Sequence, residues 1–213
     1  MCAGKPTGAE TTDCDGNRPA GPPETVVSAN RAALCSTLPG LTVDTVTDRY
    51  RTLLLLRHAK SDYPTGVADH ERPLAPRGKR EAGLAGDWLR ANAPAIDAVL
   101  CSTATRTRET LARTRVEAPV DYLDRLYDAT PGAVIEEINR VGPDVETLLV
   151  IGHEPTMSAL ALGLAAAEDS NNTAAERIST KFPTSAIAVL RTGEPWDQLT
   201  LSGAALVGFH VPR

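Results

Sequence analysis

The chain has 213 residues, 42% hydrophobic and 23% charged, with a formal net charge of -5 at pH 7. This length suits one compact domain, or one domain with an appendage. The acidic balance argues against a nucleic-acid or membrane partner while leaving room for a local cluster of arginines. Aromatics make up only 4%, so the core must come mainly from Leu, Val, Ile and Ala.

The N-terminal stretch differs from the rest. It holds Pro6, Pro19, Pro22, Pro23 and Pro39 among glycines and polar residues. Such a segment buries too little surface to offset its ordering entropy. Residues 1–49 are therefore predicted to be a disordered extension, with one short helix near 25–36, and residues 50–213 to be the folded domain. A start site placed too far upstream is an alternative origin for this extension. No apolar h-region opens the chain. The most apolar stretch, Ser158–Ala167, is about half the length a bilayer span needs. Cys2, Cys14, Cys35 and Cys101 show no zinc-like spacing. Free thiols in a reducing cytoplasm are the expected state.

From Arg51 onward strands and helices alternate. Leu53–Leu56 is a continuous apolar run, as for a strand covered on both faces. Residues 77–92 read as a helix, with Ala82, Leu84, Ala85, Trp88 and Leu89 on one broad face. Ala98–Cys101 is a second buried strand. "TATRTRETLARTR" is a helix with Leu111 and Ala112 inward. A short strand covers Val120–Leu123, and Pro131 opens a helix continued by "GAVIEEINRV". Leu148–Ile151 is a third apolar strand, followed by a helix over "PTMSALALGLAAA". Ala186–Leu190 and Ala204–Phe209 close the chain as strands. This order predicts an α/β fold: a three-layer αβα sandwich around a mostly parallel sheet.

Three apolar strands end in polar clusters: Arg57-His58, then Ser102 with Arg106 one turn into the next helix, then Gly152-His153-Glu154. In an open α/β sheet the carboxyl ends of parallel strands form the ligand crevice. Two histidines and two arginines should meet there. Arginine forks match phosphate oxygens. A neutral imidazole can attack phosphorus, and a second can stabilise the charge that develops. The combination points to phosphoryl transfer through a phosphohistidine, without a metal.

"LLLLRHAKS" resembles the Arg-His-Gly signature of the histidine phosphatase superfamily, the phosphoglycerate mutase-like fold, with Ala59 where glycine is usual. "ERPLAPRG", "VLCSTATRTRET", "VIGHEPT" and "FPTSAIAVL" resemble successive landmarks of its short bacterial branch, the phosphohistidine phosphatases. Five motifs in order are far more specific than one. The resemblance implies His58 as nucleophile, Arg57, Arg72 and Arg106 as phosphate ligands, and His153 opposite His58. Ser61 would shape the loop after the nucleophile. The general acid is open between Glu154 and Asp128. Larger family members carry it in an insertion that this sequence lacks, and a reduced acid suits a phosphoramidate leaving group. No cofactor is implied.

Each residue also has a plainer reading. Arg72 reads as a simple ion-pair partner of Asp69 or Glu71, and Arg108, Arg113 and Arg115 read as a solvated face. Arg77, Lys79 and Arg80 read as a solvated helix start, Cys101 as core, and His70 and His210 as structural. The expected activity is metal-independent hydrolysis of protein phosphohistidine by a monomer. The alternatives are a small-molecule phosphomonoesterase acting on a sugar phosphate or nucleotide, and a phosphate-binding module without catalysis.

Overall fold

The computed structural model describes residues 50–166 and 168–213. The expected extension over 1–49, including the helix near 25–36, lies outside the described residues. Six strands form one sheet in the order β3-β2-β4-β1-β5-β6. They are β1 (Arg51–Arg57), β2 (Ala98–Ser102), β3 (Val120–Leu123), β4 (Thr147–Gly152), β5 (Ile187–Thr192) and β6 (Ala205–His210). β5 is antiparallel to both its neighbours, and the other five strands run in one direction. The helices are α1 (Pro76–Asn92), α2 (Thr105–Thr114), α3 (Pro131–Ile138), α4 (Thr156–Leu164) and α5 (Asn172–Thr180).

The continuous apolar runs follow from burial on both faces of the sheet. Side chains alternate across a strand, so β1 divides its leucines. Leu53 and Leu55 join Leu148, Val150 and Leu100 against α3, α4 and α5. Leu54 and Leu56 join Leu149, Ile151, Val99 and Cys101 against α1 and α2. The predicted αβα sandwich is the observed architecture.

Several local expectations are corrected. Leu84 is 42% exposed rather than inward. Gly86 carries the contact with α2 instead, because a Cβ there would lie 2.2 Å from the Thr114 carbonyl oxygen. Ala112 is exposed, and α2 turns Thr107, Thr110 and Thr114 inward with Leu111. α3 ends at Ile138, and α4 ends at Leu164, where Ala165 bridges to Ala204. α5 was not expected. It buries only Ala174 and Ile178, and the Asn171 side chain caps it by accepting from Ala174 N.

Candidate active site

Strand register brings the clusters together. β1 and β4 pair Arg57 with Gly152, so His58 and His153 leave the sheet side by side. β2 pairs Cys101 with Ile151, which sets Ser102 beside Gly152. The two imidazole centroids lie 5.2 Å apart at 54°. Both rings are buried, His58 9% and His153 6% exposed.

His58 Nδ1 lies 2.7 Å from the Ala59 carbonyl oxygen. A carbonyl only accepts, so Nδ1 carries the proton and Nε2 keeps its lone pair. Burial lowers the His58 pKa to about 4, the Ala59 hydrogen bond opposes this, and the charges of Arg106, Arg57 and Arg72 lower it further. The ring is a neutral imidazole near pH 7, with Nε2 unprotonated. Ala59 itself is packed with Leu74 and Ala82, and its N–H donates to Thr110 Oγ1 at 2.9 Å. Ala59 is not among the residues with positive φ, so the methyl fits where glycine is usual.

Burial likewise lowers the His153 pKa, to about 3, helped by the proximity of His58 and Arg106. His153 Nε2 lies 2.9 Å from Ser102 Oγ, and Nδ1 is buried without a partner. Arg57 donates to the Phe182 carbonyl at 2.5 Å, while its buried Nε has no partner. Burial lowers the Arg57 pKa, opposed by the charge of Glu154. Polar atoms orphaned in the interior are costly. Two such atoms, Arg57 Nε and His153 Nδ1, lie together at the carboxyl ends of β1 and β4.

Arg106 stands apart from its neighbours on α2. It is buried, whereas Arg108, Arg113 and Arg115 are exposed. α2 is tied to the end of β2 by Thr107 Oγ1, which donates to the Ser102 carbonyl at 2.7 Å. Arg106 and Arg72 share one carboxylate that the motifs did not single out. Asp69 Oδ1 accepts from Arg72 at 2.6 Å, Oδ2 lies 3.1 Å from Arg106 Nη2, and Oδ2 also accepts from the Tyr127 hydroxyl at 2.7 Å. The Asp69 carbonyl accepts a further Arg106 bond at 2.6 Å. The Tyr127 hydrogen bond and then that of Arg72 hold the Asp69 pKa at about 2. Arg72 also donates to Ser61 Oγ and to the Asp62 carbonyl, and it stacks 3.3 Å from the Tyr63 ring centroid. The pairing of Arg72 with Asp69 and its place beside His58 therefore hold together.

Six of the predicted residues converge here: His58, Arg57, Arg106, His153, Arg72 and Ser61. The two acid candidates separate. Glu154 follows His153; its Oε1 accepts from Ser158 and its Oε2 is buried without a partner. Asp128 is exposed, in left-handed backbone with φ of 50°. Sequence reading missed Asp69 and Tyr127 as site residues, along with the closeness of His70, whose ring meets the Tyr127 edge at 4.9 Å. Asp69 had one signal, its i,i+3 spacing from Arg72. Cys101 is buried, and burial pushes its thiol up to about 12, consistent with a core residue. Among the described residues no group of three or more His, Cys, Asp or Glu is placed to hold a metal ion, and no helix is long and apolar enough to cross a membrane.

Residues 53–137 match the model of the histidine phosphatase superfamily, branch 1. An uncharacterized protein of Mycobacterium tuberculosis is 68% identical over 158 residues, which is 74% of this chain and 100% of the relative. A structure from Nakamurella multipartitia, provisionally named phosphohistidine phosphatase SixA, is 40% identical. It superposes with a TM-score of 0.71 over 76% of this chain and 96% of that one. Its provisionally named counterpart from Agrobacterium tumefaciens is 28% identical, with a TM-score of 0.62 over 76% and 99%. The chain belongs to the histidine phosphatase superfamily and is a phosphohydrolase of that type.

Proposed function

We propose that this protein hydrolyses phosphohistidine on other proteins, through a phosphohistidine formed on its own His58 and without a metal. The observation that carries the reading is the His58 ring, neutral, with Nδ1–H held by Ala59 and Nε2 left as a lone pair among three arginines. Nε2 attacks phosphorus, the P–N bond to the substrate histidine breaks with its electron pair passing to that nitrogen, and a proton from Glu154 lets the substrate ring leave as neutral imidazole. Water then attacks the phosphoryl group on His58 and gives its proton to Glu154, the P–N bond to His58 breaks, inorganic phosphate leaves, and Nε2 regains its lone pair. Arg57, Arg72 and Arg106 supply positive charge around the phosphoryl oxygens, partly offset by Asp69. This leaves a surplus suited to a dianion. Ser61 holds Arg72 in place.

Two features support a protein phosphohistidine as substrate. The chain between β2 and β4 holds only α2, β3, α3 and short connections, so no inserted segment from that region closes over the edge. A phosphohistidine whose ring is protonated also leaves readily as neutral imidazole, which suits a site whose acid is a single glutamate, Glu154, held by Ser158. We favour Glu154 over Asp128 because its unpartnered oxygen is buried and its charge acts on Arg57, whereas Asp128 is exposed.

The test compares a histidine-phosphorylated protein, an aryl phosphate, a sugar phosphate and a nucleotide as substrates, all with EDTA present. The phosphorylated protein should be turned over at least about 10-fold more efficiently than either metabolite. The reverse preference would select the small-molecule phosphomonoesterase. Full activity in His58→Ala would refute the nucleophile.

A further inference from the structure

We infer that Ser102 is a positioning residue that locks His153 in its Nδ1–H tautomer, so that the second histidine meets the phosphoryl group as a neutral hydrogen-bond donor. This rests on the phosphatase reading above but concerns a residue that reading does not use.

The argument is one of hydrogen-bond accounting. Ser102 is fully buried. Its Oγ has two neighbours within hydrogen-bond range, His153 Nε2 at 2.9 Å and the Ala104 N–H at 3.5 Å. The Ala104 N–H can only donate. The Ser102 hydroxyl hydrogen is therefore left with a single acceptor, the Nε2 lone pair. If Nε2 instead carried the proton, the hydroxyl hydrogen would be orphaned in the interior, and an unmade buried hydrogen bond is costly. With Nε2 accepting, Nδ1 must carry the hydrogen. That Nδ1 is the buried atom with no protein partner, beside the ring of the proposed nucleophile.

The opposite tautomer would turn a lone pair toward an anion and repel it. The Nδ1–H tautomer offers a donor whose bond strengthens as charge grows on the phosphoryl oxygens, and it does so without a net charge on the ring. Ser102 is well anchored for this task. It ends β2, its carbonyl accepts from Thr107 Oγ1, and strand register sets it beside Gly152. The two histidines then divide the work by tautomer and partner. The Ala59 carbonyl leaves His58 a free acceptor nitrogen, and the Ser102 hydroxyl leaves His153 a free donor.

The test is two-bond 1H–15N correlation on the uniformly labelled full chain at neutral pH, with the His153 signals assigned through His153→Gln. Wild type should show His153 with Nδ1 protonated and Nε2 bare, and inorganic phosphate should shift the Nδ1 signal. In Ser102→Ala the ring should pass to a mixture or to the Nε2–H form. Its kcat on an aryl phosphate should fall about 10- to 100-fold, with KM changed less than about 3-fold. Ser102→Thr, which keeps the hydroxyl, should keep the wild-type tautomer and recover most of kcat. If Ser102→Ala does not fold, the wild-type spectrum and Ser102→Thr decide alone. A wild-type His153 in the Nε2–H form would overturn the inference, and so would an unchanged tautomer in a folded Ser102→Ala. The tautomer is read without turnover, so a chain that hydrolyses nothing would refute the phosphatase reading and leave this result standing.

Discussion

At the scale of single residues, the site depends on partners that fix where protons and charges sit. Asp69 is the clearest case. Two guanidinium groups repel at close range, and one carboxylate bridging them, itself held by Tyr127, keeps both in place. Asp69→Ala should loosen Arg72 and Arg106, which keep only their bonds to Ser61 and to backbone carbonyls, raising KM for an aryl phosphate about 10-fold and weakening inhibition by inorganic phosphate to a similar degree. An unchanged inhibition constant would show that the arginines hold their positions without Asp69. This residue was only half legible in the sequence. Its spacing from Arg72 suggests a pair, but its link to Tyr127 spans 58 positions, and no local pattern reports a contact of that range. The same holds for Ser102 and His153, which are 51 positions apart.

At the scale of elements, helix placement controls the loop that follows His58. Gly78, in the first turn of α1, faces that loop, and a Cβ there would sit 2.0 Å from the Lys60 carbonyl oxygen. The same oxygen accepts from Ala75 N at 2.9 Å. Backbone on both sides leaves little room to yield. Gly78→Ala should destabilise the fold by about 1–3 kcal/mol, and it should lower activity more than Gly83→Ala, where a Cβ meets nothing within 4 Å. Equal denaturation midpoints for the two variants would contradict this packing. Element by element, legibility followed the strength of the burial signal. β1, β2 and β4 announce themselves because strands covered on both faces must be apolar throughout. α5 does not, because a helix burying only Ala174 and Ile178 leaves almost no periodicity to read. Leu84 misled for a related reason: it falls within the apolar arc of α1, but α1 meets α2 through Gly86.

At the scale of the whole molecule, burying two neutral histidines makes stability depend on pH. Unfolded, each titrates near 6.5; folded, His58 resists protonation until about 4 and His153 until about 3. Between these limits the unfolded chain binds more protons, so stability rises with pH there. The contribution is fully present above 6.5 and is lost as pH falls toward 4 and 3. Asp69 acts lower on the scale. Its depressed pKa contributes stability above its ordinary 3.8, which is lost as pH falls toward 2. Urea midpoints measured from pH 7.5 to 4.5 should therefore decline, and the decline should be shallower in His58→Asn. Identical slopes in the two proteins would mean that His58 is not buried as a neutral ring.

The most direct measurement is to trap the covalent species. Wild type and His58→Ala are mixed with radiolabelled aryl phosphate in EDTA and quenched within the first turnovers, and the protein-bound label is tested for stability in acid and in alkali. Label on the wild type that is lost in acid, survives alkali and is absent from His58→Ala would establish the phosphohistidine route on His58. Turnover with no bound label at any quench time, or equal labelling of both proteins, would contradict it.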